Sequence, residues 1–417
     1  VQLNAVNLDT ANSGRGLWVT ETESLSVTGG TISNNTALIG GGILIDNVTS
    51  IFGTFATLDG VTVTGNTATG GTAPTQGGGG IFNRGGGFLD VVNGSMITNN
   101  VATTGSGSGG GIFSSGILTV DSSTISGNSA NRAGGGIEIS GMSGTTTLNN
   151  VTLTNNQAVG APGNGGGMHI SGTVDTNILG GTVSGNSAAL EGGGLWNGGG
   201  TMTIDGTTID GNTASGDAAD EGGGGIFNEG GFVQLGGLLP VSSIIITNNT
   251  NGVLISIGAT ISGNVANRAG GGIEDNSDVG GFVDLQNTQL NDNLALGTGS
   301  APGNGGGLHV SGPGNVNILG GTVSGNSAAE EGGGLWNDGG TMTINGTTID
   351  GNTASGDAAD DGGGGIFNNG GTVSLTNGVQ ISGNIADGVL GSGGGILNLG
   401  TLSLDTSGIV ITGNTAE

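Results

Sequence analysis

Residues 381–405 read Ile-Ser-Gly-Asn-Ile-Ala-Asp-Gly-Val-Leu-Gly-Ser-Gly-Gly-Gly-Ile-Leu-Asn-Leu-Gly-Thr-Leu-Ser-Leu-Asp. Three pieces stand out. Ile381–Asn384 is an apolar-x-x-Asn motif. Gly393-Gly394-Gly395 is a glycine run followed by Ile396-Leu397-Asn398. Thr401 to Asp405 alternates polar and apolar, the period-two pattern of a half-buried strand. No helical periodicity or cap accompanies them.

Outward from this stretch the same pieces recur along all 417 residues. The apolar-x-x-Asn motif appears fourteen times, from Ile32–Asn35 to Ile411–Asn414, at a mean spacing near 29. One interval is only 15 residues (Asn249 to Asn264) and its neighbour is 37, so Gly236 to Ser256 reads as an insertion or a degenerate coil. The glycine run recurs twelve times between the asparagine motifs. Three short strands per repeat, joined by turn residues, describe one coil of a solenoid that cannot bury its apolar face alone.

The fold expected is therefore all-β: a right-handed parallel β-helix of about 13 coils of roughly 29 residues, making a rod roughly 60 Å long. Ile and Val would form inward columns, and the motif asparagines an amide ladder. The whole chain, 1–417, reads as a single β-solenoid. It carries a tandem duplication, about 121–260 and 261–400. Asn177 to Gly231 matches Asn317 to Gly371 at an offset of 140 with 5 differences in 55 residues, among them Leu190/Glu330 and Glu221/Asp361.

Composition agrees. Glycine supplies 101 residues and proline 5, and the glycine runs exclude the every-third-residue pattern of collagen. The charge is −27, with four arginines (Arg15, Arg84, Arg132, Arg268), no lysine and no cysteine. Such a surface repels phosphate backbones and anionic membranes, so neither nucleic acid nor membrane insertion is expected. Without lysine there is no Schiff-base, Walker-type or isopeptide chemistry. The chain starts at Val1, which reads as a processed chain after signal-peptide removal or as a fragment.

The pairing of Ile-Ser-Gly-Asn with Gly-Gly-Gly-Ile resembles the polymorphic outer-membrane protein repeats, which carry Phe-x-x-Asn and Gly-Gly-Ala-Ile motifs. More widely the chain is similar to bacterial right-handed β-helix surface proteins over nearly its whole length. Here Ile, Val or Leu replaces Phe, a third Gly replaces Ala, and there is no C-terminal translocating barrel. The resemblance implies a bacterial protein at the cell surface or secreted.

The residue after the core aliphatic in the glycine motif should point outward. In the twelve copies this column includes Phe82, Phe113, His169, Trp196, Phe227, His309, Trp336 and Phe367, with Glu138 and Glu274 between them. An outward aromatic stripe suggests a lateral contact or a glycan surface. The opposing reading is that the variable loops fold back and cover it. Asp217, Asp220 and Glu221, with Asp357, Asp360 and Asp361, are candidate Ca²⁺ ligands on glycine-rich loops; otherwise no cofactor is implied.

Enzymatic β-helices exist, and a polysaccharide lyase or glycoside hydrolase is an alternative. Arg132, Arg268, Glu191 and Glu221 would be its candidates, but each recurs in a near-copy, and a unique constellation is lacking. At the two ends, Val1, Leu3, Val6 and Leu8, and Val410 and Ile411, belong to coils with one open edge. The function expected is an extracellular, non-enzymatic structural protein that binds itself head to tail in a fibre or surface layer. An adhesin stalk that binds glycans is the other structural reading.

Overall fold

The computed structural model describes residues 1–11, 14–20, 24–47, 53–70, 76–103, 105, 107–218, 221–229, 253–277, 281–297, 302–405 and 408–417. The chain is all-β, a solenoid of about twelve turns whose parallel strands stack about 30 residues apart. Among the described residues there is no helix, hence none long and apolar enough to cross a membrane. Two compact units are distinguished, Val1–Trp196 and Asn197–Glu417.

One coil of the first unit shows how the sequence does this. Ile117–Asp121 and Thr124–Ser126 lie on a first face, Ser129–Ala130 on a second and Ile137–Ile139 on a third. Each pairs in parallel with its counterpart one coil on: Leu118 with Thr146, Ile125 with Leu153, Ala130 with Ala158, Ile137 with Met168. Like therefore stacks on like. The inward columns of Ile97, Ile125 and Leu153, and of Ala102, Ala130 and Ala158, are buried. The second unit repeats the plan with Asn315–Leu319, Thr322–Ser324, Ser327–Ala328 and Leu335–Asn337. Each buried Val, Leu or Ile contributes about 1.5–3 kcal/mol, and the coil supplies only a handful, so stacking is obligatory.

The asparagine of each apolar-x-x-Asn motif turns inward at the corner between the first two faces. In the first unit Asn35, Asn66, Asn100, Asn128, Asn156 and Asn186 form one ladder, each side-chain Nδ2 donating to the next Oδ1 at 2.8–3.0 Å. The backbone N–H of each donates to that same oxygen, as from Asn128 to Asn156 at 3.0 Å. The second hydrogen of Nδ2 goes back to a carbonyl of the preceding coil, as from Asn128 to Ile97 at 2.8 Å. The second unit has the same ladder through Asn212, Asn264, Asn293, Asn326, Asn352, Asn384 and Asn414.

Asn212 bonds Asn264 directly across 52 residues. Among the described residues the two ladders hold six and seven rungs, in agreement with the expected number of about 13 coils. Residues 246–249, the motif copy ending at Asn249, lie outside the described residues. The position before each rung is left-handed, with φ of 52° at Asn34, 63° at Gly127 and 54° at Asp292. Only Gly, Asn or Asp fills it, because a Cβ with a longer branch clashes there.

The glycine runs serve close approach. A Cβ on Gly110 would lie 2.4 Å from the carbonyl oxygens of both Gly135 and Ser129, and one on Gly135 would lie 2.4 Å from that of Gly166. The run of each coil is laid flat against the run of the next, with no room for a side chain.

Candidate functional site

The third face carries the column that the sequence reading singled out. In Ile137–Ile139 and Leu308–Val310 all three residues are buried, although only two can face the inside of the coil. The middle residue points outward and is covered. Phe82, Phe113, His169, Trp196, Phe227, His309, Trp336 and Phe367 are each at most 7% exposed. The open stripe is thus corrected to a covered column, roofed in the described example by a loop that precedes a glycine run. Ile39 of one such loop packs on Leu44, Phe82 and Phe113. The Phe82 and Phe113 rings stack at 4.7 Å, as strand register requires.

Within this column each unit holds a polar cluster. In the first, fully buried Glu138 pairs with His169 across one coil. The His169 Nδ1 lies 2.9 Å from Glu138 Oε2, and Ser171 Oγ donates to Oε1 at 2.6 Å. His169 stacks on Trp196 at 4.2 Å, and the Trp196 Nε1 donates to Glu191 at 2.7 Å. Asn164 donates to the same Glu191 oxygen at 2.7 Å.

The second unit repeats every contact. His309 lies 2.8 Å from Glu274, Ser311 donates to Glu274 at 2.8 Å, and His309 stacks on Trp336 at 4.2 Å. Trp336 and Asn304 both donate to Glu331 at 2.9 Å. A buried carboxylate costs several kcal/mol unless paired, and here the imidazole and hydroxyl satisfy it. The serine is spent on the carboxylate rather than aimed at a ring nitrogen, so the geometry clamps strands and does not activate a nucleophile. Glu191 and Glu331 tie the roofing loop to the tryptophan beneath.

Four of the acids named as calcium candidates accept local hydrogen bonds. Asp217 accepts from Asn267, and Glu221 accepts the Ala218 N–H at 2.7 Å. Asp357 accepts the Val389 N–H at 2.9 Å and Asp361 that of Ala358 at 2.7 Å. Asp220 lies outside the described residues. Asp360 and Asp361 add to the charge around Glu331. Among the described residues no three acidic or imidazole groups converge where a metal ion could sit.

Two carboxyls of the second unit titrate high. Burial pushes Asp275 up to about 6, with the Glu274 charge adding to it against hydrogen bonds from Asn228 and Ser277. Burial pushes Glu331 up to about 7, against the Trp336 hydrogen bond, with Asp361, Glu330 and Asp360 adding repulsion. In both cases the folded pKa lies above the unfolded one, so the ionised form weakens the fold. That penalty is complete above the folded pKa and vanishes as pH falls toward the unfolded value.

Stability should therefore rise between pH 8 and pH 5, by about 1.5 kcal/mol from Asp275, half of its full penalty, and, after allowing for solvent screening, by about 1–2 kcal/mol from Glu331. Urea titrations at the two pH values read this directly. Asp275→Asn, which can accept from Asn228 as the carboxylate does, should remove its share and leave that of Glu331; an unchanged profile would show that Asp275 is ionised at no cost.

One residue of the third face departs from the column. Trp18, in Leu17–Thr20, pairs with Leu44 one coil on but is 61% exposed. Its Nε1 donates to Asp46 Oδ2 at 3.3 Å, and the Arg15 guanidinium carbon lies 5.5 Å from its ring centre. The sequence reading missed it because its coil has Gly14-Arg15-Gly16 in place of a glycine run. The apolar-aromatic-apolar triplet Leu17-Trp18-Val19 was the available signal.

Comparison with protein-family models, curated proteins and solved structures returns no match to this chain.

Proposed function

We propose that this chain is a structural solenoid of an extracellular fibre or surface layer, extended by coil-on-coil stacking of one copy on the next. The observation that supports this reading is the stacking itself, in which each coil buries the apolar columns of the coil before it, as Leu404 covers Leu375 and Ile411 covers Ile381. Leu404, Val410 and Ile411 are nearly half exposed, whereas Leu375 and Ile381, one coil back in the same columns, are fully buried. Asn414 is the last rung of the ladder, and its Oδ1 already serves Asn384. At the other edge Val1 is exposed and Leu3, Val6 and Leu8 are half-buried along Gln2–Asp9.

An apolar rim beside an unpaired strand edge takes a further coil. A coil of any origin satisfies it; a second copy, meeting head to tail, is the source proposed, and heterologous contact of that kind grows an open filament. The motif resemblance to bacterial surface-protein repeats supports an extracellular setting.

Electron microscopy and sedimentation velocity of residues 1–417 at two concentrations test the proposal. Filaments that lengthen with concentration are expected, and the double variant Leu404→Asp/Ile411→Asp should abolish them while leaving the melting curve of the remaining coils in place. Discrete particles at every concentration would overturn head-to-tail assembly.

A further inference from the structure

Asparagine followed by glycine is the step at which a peptide chain most readily modifies itself, because the glycine nitrogen carries no side chain beside it to block attack on the asparagine Cγ. Eight such steps occur in this sequence. Asn251–Gly252 lies outside the described residues, and the coil that follows Asn377–Gly378 is described only in part. The other six differ in how the fold holds them.

Five of the six are held. In four, the glycine N–H donates along the solenoid to the next coil: Gly94 to Ser122 O at 2.8 Å, Gly165 to Glu191 O and Gly305 to Glu331 O at 2.9 Å, and Gly346 to Thr376 O at 3.2 Å. In the fifth, Asn197 is fully buried and its Nδ2 donates to Asn228 Oδ1 at 2.9 Å. A nitrogen whose proton is engaged by a carbonyl must give up that bond before it can attack.

Asn369–Gly370 is the exception. It forms the corner between Ile366–Asn368 on the third face and Thr372–Thr376 on the first, and both residues are exposed. Coils lie on either side of it, with the Asn369 N–H donating to Asn337 O and the Leu399 N–H to Asn368 O, both at 2.8 Å. The exposure therefore belongs to the corner and not to an open end. Among the described residues the Gly370 N–H has no hydrogen-bond partner. Asn369 Nδ2 donates to Asp338 Oδ1 at 2.8 Å, one coil back.

We infer that Asn369–Gly370 is a self-modification site, at which the chain turns its own asparagine into an aspartyl or isoaspartyl residue. The Gly370 nitrogen, losing its proton to hydroxide, attacks Asn369 Cγ. The new C–N bond closes a five-membered imide, and the side-chain nitrogen takes up a proton and leaves as ammonia. Water then opens the imide at one of its two carbonyls, leaving a carboxylate and either a normal or a β-linked backbone. The product loses the donor that Asn369 offers Asp338 and sets two like charges side by side. The near-copy avoids this, with Glu229 in the place of Asn369 and Gly198 in the place of Asp338. Only one of the two segments thus carries the site.

The full chain would be held in mildly alkaline heavy-oxygen water and cut with chymotrypsin, and its peptides sequenced by mass spectrometry. Cleavage after Phe367 and Leu375 separates Asn369 from Asn345 and Asn377. Heavy oxygen should enter at Asn369 about tenfold or more faster than at Asn93, Asn164, Asn304 or Asn345, the factor that one released backbone hydrogen bond supplies. Gly370 has no left-handed φ, and a Cβ there would come no nearer than 3.4 Å to Asp338 O. Gly370→Ala should therefore slow conversion about tenfold with melting unchanged. Asn369→Gln, which would have to close a six-membered ring, should stop it.

In urea, where the fold holds no N–H, the Asn-Gly steps should react alike. Conversion at Asn369 no faster than at the held steps, or undiminished in Gly370→Ala, would overturn the proposal. So would a preference for Asn369 that persists in urea, since the sequence and not the fold would then set it.

Discussion

Asn128→Ala is expected to destabilise its unit by about 3–5 kcal/mol, far more than an ordinary polar-to-alanine change. Asn128 is fully buried. Its Oδ1 receives the backbone and side-chain N–H groups of Asn100 at 2.9 and 3.0 Å, and its Nδ2 serves Ile97 O and Asn156 Oδ1 at 2.8 and 2.9 Å. Removing one amide orphans two donors and one acceptor outright, each costing about 1–3 kcal/mol when no water reaches it. Urea denaturation followed by circular dichroism would measure the loss. Asn128→Asp should be no milder at neutral pH, since it keeps the acceptor, loses the donors and buries a charge. A loss under about 1 kcal/mol would mean that water substitutes for the rung.

Gly135→Ala should have an effect of similar size for a steric reason. The new methyl would stand 2.4 Å from Gly166 O and 2.5 Å from the Gln157 carbonyl carbon. Both obstacles are backbone atoms inside hydrogen-bonded coils, so neither can rotate away. The coils must part locally, at a cost of about 4 kcal/mol or more, the upper end of overpacking penalties. Gly14→Ala provides the contrast, since nothing lies within 4 Å of its Cβ position and its φ is not left-handed. That variant should stay within about 0.5 kcal/mol of the parent. Parallel melts of the two variants decide the matter, and equal stability would show that the glycine column is not tightly packed.

Much of this architecture was legible in the residues because a solenoid writes its contacts as a period. The asparagine ladder, the aliphatic columns and the glycine column all follow from positions that recur coil by coil. The pairing of Glu138 with His169, and of Glu274 with His309, was implicit too, since consecutive members of one column are neighbours across a coil.

What the period does not encode is what the loops do. Ile39, Glu191 and Glu331 lie in segments of varying length, so the roof over the aromatic column had no repeating signature. The exposure of Trp18 was hidden for the opposite reason, because its coil breaks the glycine pattern on which the column was aligned. The motif ending at Asn249 fits the pattern, yet Asn212 bonds Asn264 directly, in keeping with the reading of Gly236 to Ser256 as an insertion or a degenerate coil.

The ladder also bears on how such a gene can change length. Asn186 and Asn212 recur at Asn326 and Asn352, so the near-identical segments differ in position by a whole number of coils. Recombination between misaligned repeats that adds or deletes entire coils leaves every remaining amide facing another amide and every aliphatic column in phase. An exchange that offsets a strand by a single residue would turn that strand's apolar side outward. Selection on folding alone thus restricts changes in the stacked strands to whole coils, while the loops between them vary freely in length, as the 52 residues between Asn212 and Asn264 illustrate.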